Sequence, residues 1–277
     1  MNWLQALILG IVQGASEYLP ISSSGHLEIF RTLLGVDLPT DETLQFDIMV
    51  HAATVCSTLV ILWPMFKRLA TGFFSMKRNA DSIYVWKVLF SCIPVGIVGV
   101  FFKDKVEEIF GQGLILVGIC LCITALLLTF AYMSGYDRRT RRPVPADKGR
   151  DISWLDAFII GCAQAVAVLP GLSRSGSTIA TGIILGDKRD KVATFSFIMV
   201  IIPILGEALL DLAKMLKPGA AEASGSISAM AMIIGFVSAF VVGCAACKWM
   251  IALVKKGKLI WFAAYCLIMG VICIIFH

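Results

Sequence analysis

Two stretches decide how this chain is read. The first is Gln13-Gly-Ala-Ser-Glu17-Tyr-Leu-Pro20-Ile-Ser22-Ser23-Ser24-Gly25-His26; the second is Gln164-Ala-Val-Ala-Val-Leu-Pro170-Gly171-Leu-Ser173-Arg174-Ser175-Gly176-Ser177-Thr178. Each follows a short apolar segment, Asn2–Tyr18 or Ser153–Val168, and each precedes a second one. Proline removes a backbone donor and pushes the residue before it out of helical geometry. Both stretches therefore read as helix, break, helix. Neither half is long enough to cross a bilayer comfortably, so both are expected to be re-entrant hairpins.

The surroundings of these breaks are a membrane protein. Of 277 residues, 58% are hydrophobic and 16% are charged, against roughly 45–50% and about 25% in soluble domains. Apolar runs such as Val85 to Phe102, Leu114 to Met133 and Leu259 to Phe276 approach the ~20 residues that a membrane helix needs. Six full spans are expected, at about 45–66, 85–102, 114–133, 192–213, 228–250 and 259–276. The first segment lacks the basic start of a signal peptide and is read as part of the mature chain. All nine cysteines lie in apolar stretches, where thiols pack as small hydrophobes; Cys244 and Cys247 form a CxxC read the same way. The net charge of +5 is spread over short loops, which excludes a nucleic-acid surface and reads as topology.

The segments 67–87, 134–151 and 248–258 carry the basic excess and are expected in the cytoplasm; 31–44 and 103–113 lean acidic and are expected outside. Three spans separate the hairpins, so the second half is inverted relative to the first. Gly10, Gln13, Ser22, Ser24 and Gly25 recur as Gly161, Gln164, Ser173, Ser175 and Gly176, at one spacing of 151 residues. The expected architecture is an all-α polytopic membrane protein with six spans and two re-entrant hairpins in an inverted-topology repeat. Its parts are residues 1–133, a basic linker 134–152, and residues 153–277. Inverted repeats with broken helices place their site near the midplane, where the breaks meet.

The polar residues at the breaks carry the chemistry. Gln13 and Glu17 share a helix face, and a carboxylate at membrane depth marks a functional cavity. The second loop feeds a helix N-terminus, which suits phosphate, and Arg174 adds a fork for two phosphate oxygens. Ser22, Ser24, Gly25, Ser173, Ser175, Gly176 and Thr178 are expected to line the phosphate site. Asp47 and His51 are spaced to share a helix face and are read as either support for that site or an interfacial pair. Glu207 and Asp211 repeat the spacing and are read as interfacial.

Together the two motifs resemble the undecaprenyl-pyrophosphate phosphatases of the bacitracin-resistance type, over essentially the whole chain. That resemblance implies hydrolysis of undecaprenyl pyrophosphate to undecaprenyl phosphate and inorganic phosphate, recycling a lipid carrier for the cell wall and conferring bacitracin resistance. It implies the bacterial inner membrane and a divalent cation, magnesium or calcium, near Glu17 and Gln13; the site itself is expected to open to the periplasm, because Gln13, Glu17 and His26 arrive on the outer-facing hairpin. The family accepts Glu or Gln at the leading position; Gln13 here weakens any two-carboxylate scheme. Ser23 is the first candidate nucleophile, with His26 as general base; His26 itself, and water, stay open as nucleophiles. The bilayer and the lipid are the expected partners, and a homodimer is admitted. A polyprenyl-phosphate flippase is the rival reading, because broken inverted repeats are also a transporter signature. An intramembrane serine protease fits Arg174 poorly.

Overall fold

The structure is a computed structural model; it describes residues 1–75, 79–102, 113–137, 142–206, 209 and 227–276. Among these the chain is helical apart from one short strand pair. The helices are α1 (Trp3–Ser16), α2 (Ser23–Leu33), α3 (Thr40–Ile61), α4 (Trp63–Phe74), α5 (Ala80–Ser91), α6 (Ile93–Phe101), α7 (Leu114–Ser134), α8 (Trp154–Val166), α9 (Arg174–Ile184), α10 (Arg189–Met199), α11 (Ala229–Lys255) and α12 (Ile260–Ile275). The strands β1 (Tyr136–Asp137) and β2 (Arg142–Pro143) pair antiparallel after α7. Glu207 and Asp211 lie outside the described residues.

Four helical stretches are long and apolar enough to cross a membrane: Glu42–Ile61, Ala80–Phe101, Leu114–Ser134 and Ala229–Lys255. The surface agrees with a lipid solvent. Helix α11 turns Met230, Ile233, Val237, Val241 and Trp249 outward and buries Gly235, Ser238, Ala239 and Gly243. Large apolar groups outside with small residues inside is the pattern of membrane helices, which gain nothing by hiding leucine from lipid.

Two expected spans carry breaks that composition hides. Helix α3 ends at Ile61 and α4 restarts at Trp63; α5 ends at Ser91 and α6 restarts at Ile93. In both cases a proline, Pro64 or Pro94, occupies the start of the second helix, where its missing N–H is harmless. The apolar run continues through the break, so hydropathy does not register it.

The two motif stretches are helix–turn–helix units. α1 closes at Ser16 and α2 opens at Ser23; α8 closes at Val166 and α9 opens at Arg174. Each leading helix packs on an element from the other half of the chain, α1 on α11 and α8 on α5 and α6. The crossings are tight. A methyl group at Gly10 would come within 2.0 Å of Ser238 Oγ, and one at Gly161 within 2.1 Å of the Ser91 carbonyl oxygen. The largest apolar core runs from Tyr18 and Ile21 of the first turn through Leu121, Leu128, Ile179 and Phe197 to Met250 and Cys266, while Ala167, Leu169 and Leu172 of the second turn pack on Leu116 and Cys120 in a smaller cluster. The nine cysteines are free thiols.

Candidate active site

The first turn is fixed from two sides. Tyr18 donates its hydroxyl to the Thr54 carbonyl on α3 at 2.6 Å, and the Cys266 thiol on α12 meets the Pro20 carbonyl at 3.3 Å. Ser22 then adopts φ 71°, the one non-glycine positive φ among the described residues. A left-handed β-carbon-bearing residue costs energy and persists only where its surroundings hold it. The second turn uses Gly171 at φ 86°, packed within 2.7 Å of Val117 on α7 if it carried a side chain. The Ser173 amide donates to Thr124 Oγ1 of the same helix at 3.2 Å. The turns touch: Gly25 lies against Gly171, and Gly176 against Pro20. Ser175 Oγ donates across to the Leu19 carbonyl at 3.2 Å.

Glu17 sits at the junction, its side chain almost wholly buried. Ser23 Oγ donates to Glu17 Oε2 at 2.6 Å, and Gln13 Nε2 donates to the same oxygen at 3.0 Å. Arg174 Nη2 reaches Glu17 Oε1 at 3.3 Å from the other half of the chain. His51 Nε2 stands 3.7 Å from Oε2. The His51 ring is aimed by its Nδ1–H, which donates to the Asp47 carbonyl at 2.7 Å. The sequence motifs thus supply Gln13, Glu17, Ser23 and Arg174 to one point, and α3 adds His51. The carboxylate thus accepts from the serine hydroxyl directly and stands where it can take the serine proton.

Other expected residues are elsewhere. His26 does not meet Ser23 or Glu17. Its Nδ1 faces the Ser22 carbonyl at 2.8 Å and its Nε2 the Tyr265 hydroxyl at 2.7 Å, with the two rings stacked. A carbonyl only accepts, so Nδ1 carries the proton and Nε2 accepts from Tyr265. The ring holds the strained Ser22 in place. Asp47 pairs its carboxylate with Arg31 rather than lining the cavity. Ser22 and Ser173 are the N-caps of α2 and α9, accepting from the Gly25 and Gly176 amides at 3.4 and 3.0 Å. Ser24 is near Ser22 at 3.4 Å. Thr178 Oγ1 donates back to the Arg174 carbonyl at 2.9 Å and also contacts Ser196. These hydroxyls build the helix ends that present backbone amides, the role that small polar residues fill at caps. Tyr265 had no local signal in sequence: it is one of three aromatic residues, with Trp261 and Phe262, in an apolar helix.

A cavity opens beside this junction, lined by Glu17, Tyr18, Thr54, Gln164, Arg174 and Thr178 among others. The arrangement offers a hydroxyl held by a carboxylate and a guanidinium within reach of the same point. That set suits attack on a phosphoryl group whose charge the guanidinium offsets.

Comparison with known proteins places the chain. The family model described as "Bacitracin resistance protein BacA" matches residues 6–272. A protein named "Undecaprenyl-diphosphatase" from Bacteroides thetaiotaomicron is 57% identical over 275 residues, 99% of each chain. One of the same name from Christiangramia forsetii is 42% identical over 276 residues, 100% of this chain and 98% of its own. Another from Methanosphaera stadtmanae is 34% identical over 290 aligned residues, 99% of this chain and 98% of its own. With the match running nearly end to end and through both turns, this chain belongs to the bacitracin resistance protein BacA family.

Proposed function

We propose that this chain hydrolyses undecaprenyl pyrophosphate to undecaprenyl phosphate and inorganic phosphate in the bacterial inner membrane. The activity returns the lipid carrier to cell-wall synthesis and confers bacitracin resistance. The observation that carries the reading is the meeting of Ser23, Glu17 and Arg174 from two separate breaks, at 2.6 and 3.3 Å. The curated relatives named above are diphosphatases, and nothing in them supports the flippase alternative.

In this reading Arg174 turns to the diphosphate and, with the amides at the starts of α2 and α9, offsets its charge. Ser23 Oγ attacks the terminal phosphorus while Glu17 takes its proton. The bond from phosphorus to the bridging oxygen breaks, and undecaprenyl phosphate leaves with the electron pair and with the proton that Glu17 took from Ser23, which frees the carboxylate for the second step. Water then releases phosphate from Ser23. His26 acts on the backbone of Ser22 and so aims Ser23. A phosphohistidine is acid-labile and a phosphoserine acid-stable. Substrate labelled on the terminal phosphate should leave an acid-stable label that Ser23→Ala abolishes. An acid-labile label retained in Ser23→Ala would transfer the nucleophile to His26.

The residues gathered here do not fit a resident magnesium or calcium ion. Glu17 is the one carboxylate, its oxygens are occupied by a serine, an amide and a guanidinium, and no group of three or more His, Cys, Asp or Glu converges among the described residues. We place any cation requirement on the substrate's diphosphate. Magnesium or EDTA should then leave the melting temperature of the lipid-free protein unchanged, since a resident ion would raise it by mass action.

The finer topology belongs to the same proposal: six spans, two re-entrant hairpins, an inverted repeat of 1–133 and 153–277, and a site opening to the periplasm. Its supports are the basic loops, the repeat spacing of 151 residues, and the reciprocal packing of α1 on α11 and α8 on α5–α6.

A further inference from the structure

Gln13 and Gln164 occupy equivalent positions, 151 residues apart, but the structure uses them differently. Gln13 spends its amide nitrogen on Glu17, one turn on. The position one turn after Gln164 is Val168, so that amide has no carboxylate to meet. Gln164 is 1% exposed, and neither its Nε2 nor its Oε1 has a hydrogen-bond partner among the described residues. A buried amide with both ends unpaired is costly, and a native chain keeps such a group where it meets a ligand. Gln164 lines the same cavity as Glu17 and Arg174. The neighbouring hydroxyls on that wall are committed: Thr178 and Ser196 bond each other, and Ser175 donates to Leu19. Gln13 Oε1 is unpaired too, but Gln13 is not part of the cavity wall; of the residues that line the cavity, Gln164 is the one with both polar ends uncommitted among the described residues. The space has room for about one water molecule.

We propose that Gln164 seats the hydrolytic water, on the Arg174 side of Glu17; this rests on the Ser23–Glu17–Arg174 reading above. The amide oxygen accepts one water proton and Glu17 the other, which leaves a lone pair for the phosphorus of phosphorylated Ser23. The water oxygen bonds to phosphorus as the bond to Ser23 Oγ breaks. Glu17 hands the proton it took from water to Ser23 Oγ, and inorganic phosphate leaves with the other water proton. Gln164 is a positioning residue for the water, the counterpart on the second break of what Gln13 does for the carboxylate.

The test is Gln164→Met, which keeps length and removes both hydrogen-bonding ends. Removing an orphaned amide should leave the melting temperature equal or higher. The expected result is a fall of at least about tenfold in kcat, a parallel fall in KM that leaves kcat/KM within about twofold, and accumulation of the acid-stable label on the enzyme toward one per chain. Gln164→Glu, which keeps an acceptor oxygen, should hydrolyse faster than Gln164→Met. Wild-type turnover in Gln164→Met, beside inactive Glu17→Gln and Ser23→Ala, overturns the inference and leaves the site standing. So does a raised KM at unchanged kcat, which would make the amide a diphosphate contact. So does equal loss of folding and activity in both Gln164 variants. An active Ser23→Ala with no label would instead remove the reading beneath it.

Discussion

Glu17 is the residue on which the two breaks agree, and Arg174 is its partner from the far half of the chain. In the proposed reaction the guanidinium, which pairs with the carboxylate in this structure, turns its fork to the diphosphate. A lysine keeps the charge and loses the planar fork, so the exchange is not conservative at such a site. Arg174→Lys is expected to lower kcat/KM by about a hundredfold, the scale of one lost charge-stabilising group; phosphate release by purified protein in detergent checks it, and near-native turnover would show that only a point charge is needed. Much of this was legible, because Glu17, Ser23 and Arg174 are polar residues in apolar surroundings, and such residues are conspicuous. The partner of His26 was not. A histidine beside three serines reads as a base, and only the tertiary fold shows its two ring nitrogens spent on Ser22 and Tyr265. His51 was legible as a polar residue, but its aim at Glu17 depends on α3 packing beside the turn through Tyr18.

At the scale of elements, the helices that carry the site are held by close crossings rather than by apolar bulk. Lipid is as apolar as leucine, so packing of small residues must supply the association. Gly161 on α8 lies directly on the backbone of Ser91, where α5 ends. Gly161→Val should separate α8 from α5–α6, displace Arg174 at the far end of the same unit, and cost about 2 kcal/mol or more as an overpacked contact. Gly96→Ala on α6 is the control, since an added methyl there meets nothing within 4 Å; it should be neutral or stabilise by about 0.5–1 kcal/mol through helix propensity. Thermal melting in detergent separates the two, and a melting temperature unchanged by Gly161→Val would mean the crossing is not what holds α8. The prolines marked the two motif breaks correctly, yet the helices end earlier, at Ser16 and Val166. The breaks at Leu62 and Cys92 leave no mark in the hydropathy, because the proline sits inside the following helix and the apolar run is uninterrupted. Helix α12 has 16 residues, about 24 Å at 1.5 Å per residue, short of the ~30 Å hydrocarbon core, although its composition alone reads as a full span.

The whole molecule is joined outside the apolar helices by a polar latch. Arg150, at the end of the linker, donates its amide to the Gly186 carbonyl at 3.1 Å and accepts from the Lys188 amide at 3.0 Å. Its guanidinium donates to Asp156 at 2.7 Å and stands 3.7 Å from Asp187. This ties the linker to both α8, which carries Gln164, and the turn that follows α9, which carries Arg174. Asp187 is the weak member. It is buried, and neither carboxylate oxygen accepts a hydrogen bond among the described residues. Burial first, and then the Asp156 charge, push it from 3.8 up to about 6, with Arg150 opposing and the charges of Asp151 and Lys87 adding smaller effects. The folded protein therefore binds this proton more tightly than the unfolded chain. Its contribution to stability is fully present below about pH 4 and is lost as pH rises through about 6, above which a buried charge is a net cost. Asparagine resembles the protonated side chain at every pH. Asp187→Asn should raise the melting temperature at pH 8, by the equivalent of about 1–2 kcal/mol once Arg150 and solvent are allowed for, and the gain should vanish near pH 4. An equal gain at both pH values would show that the carboxylate does not titrate in this window and that shape, not charge, sets the strength of the latch.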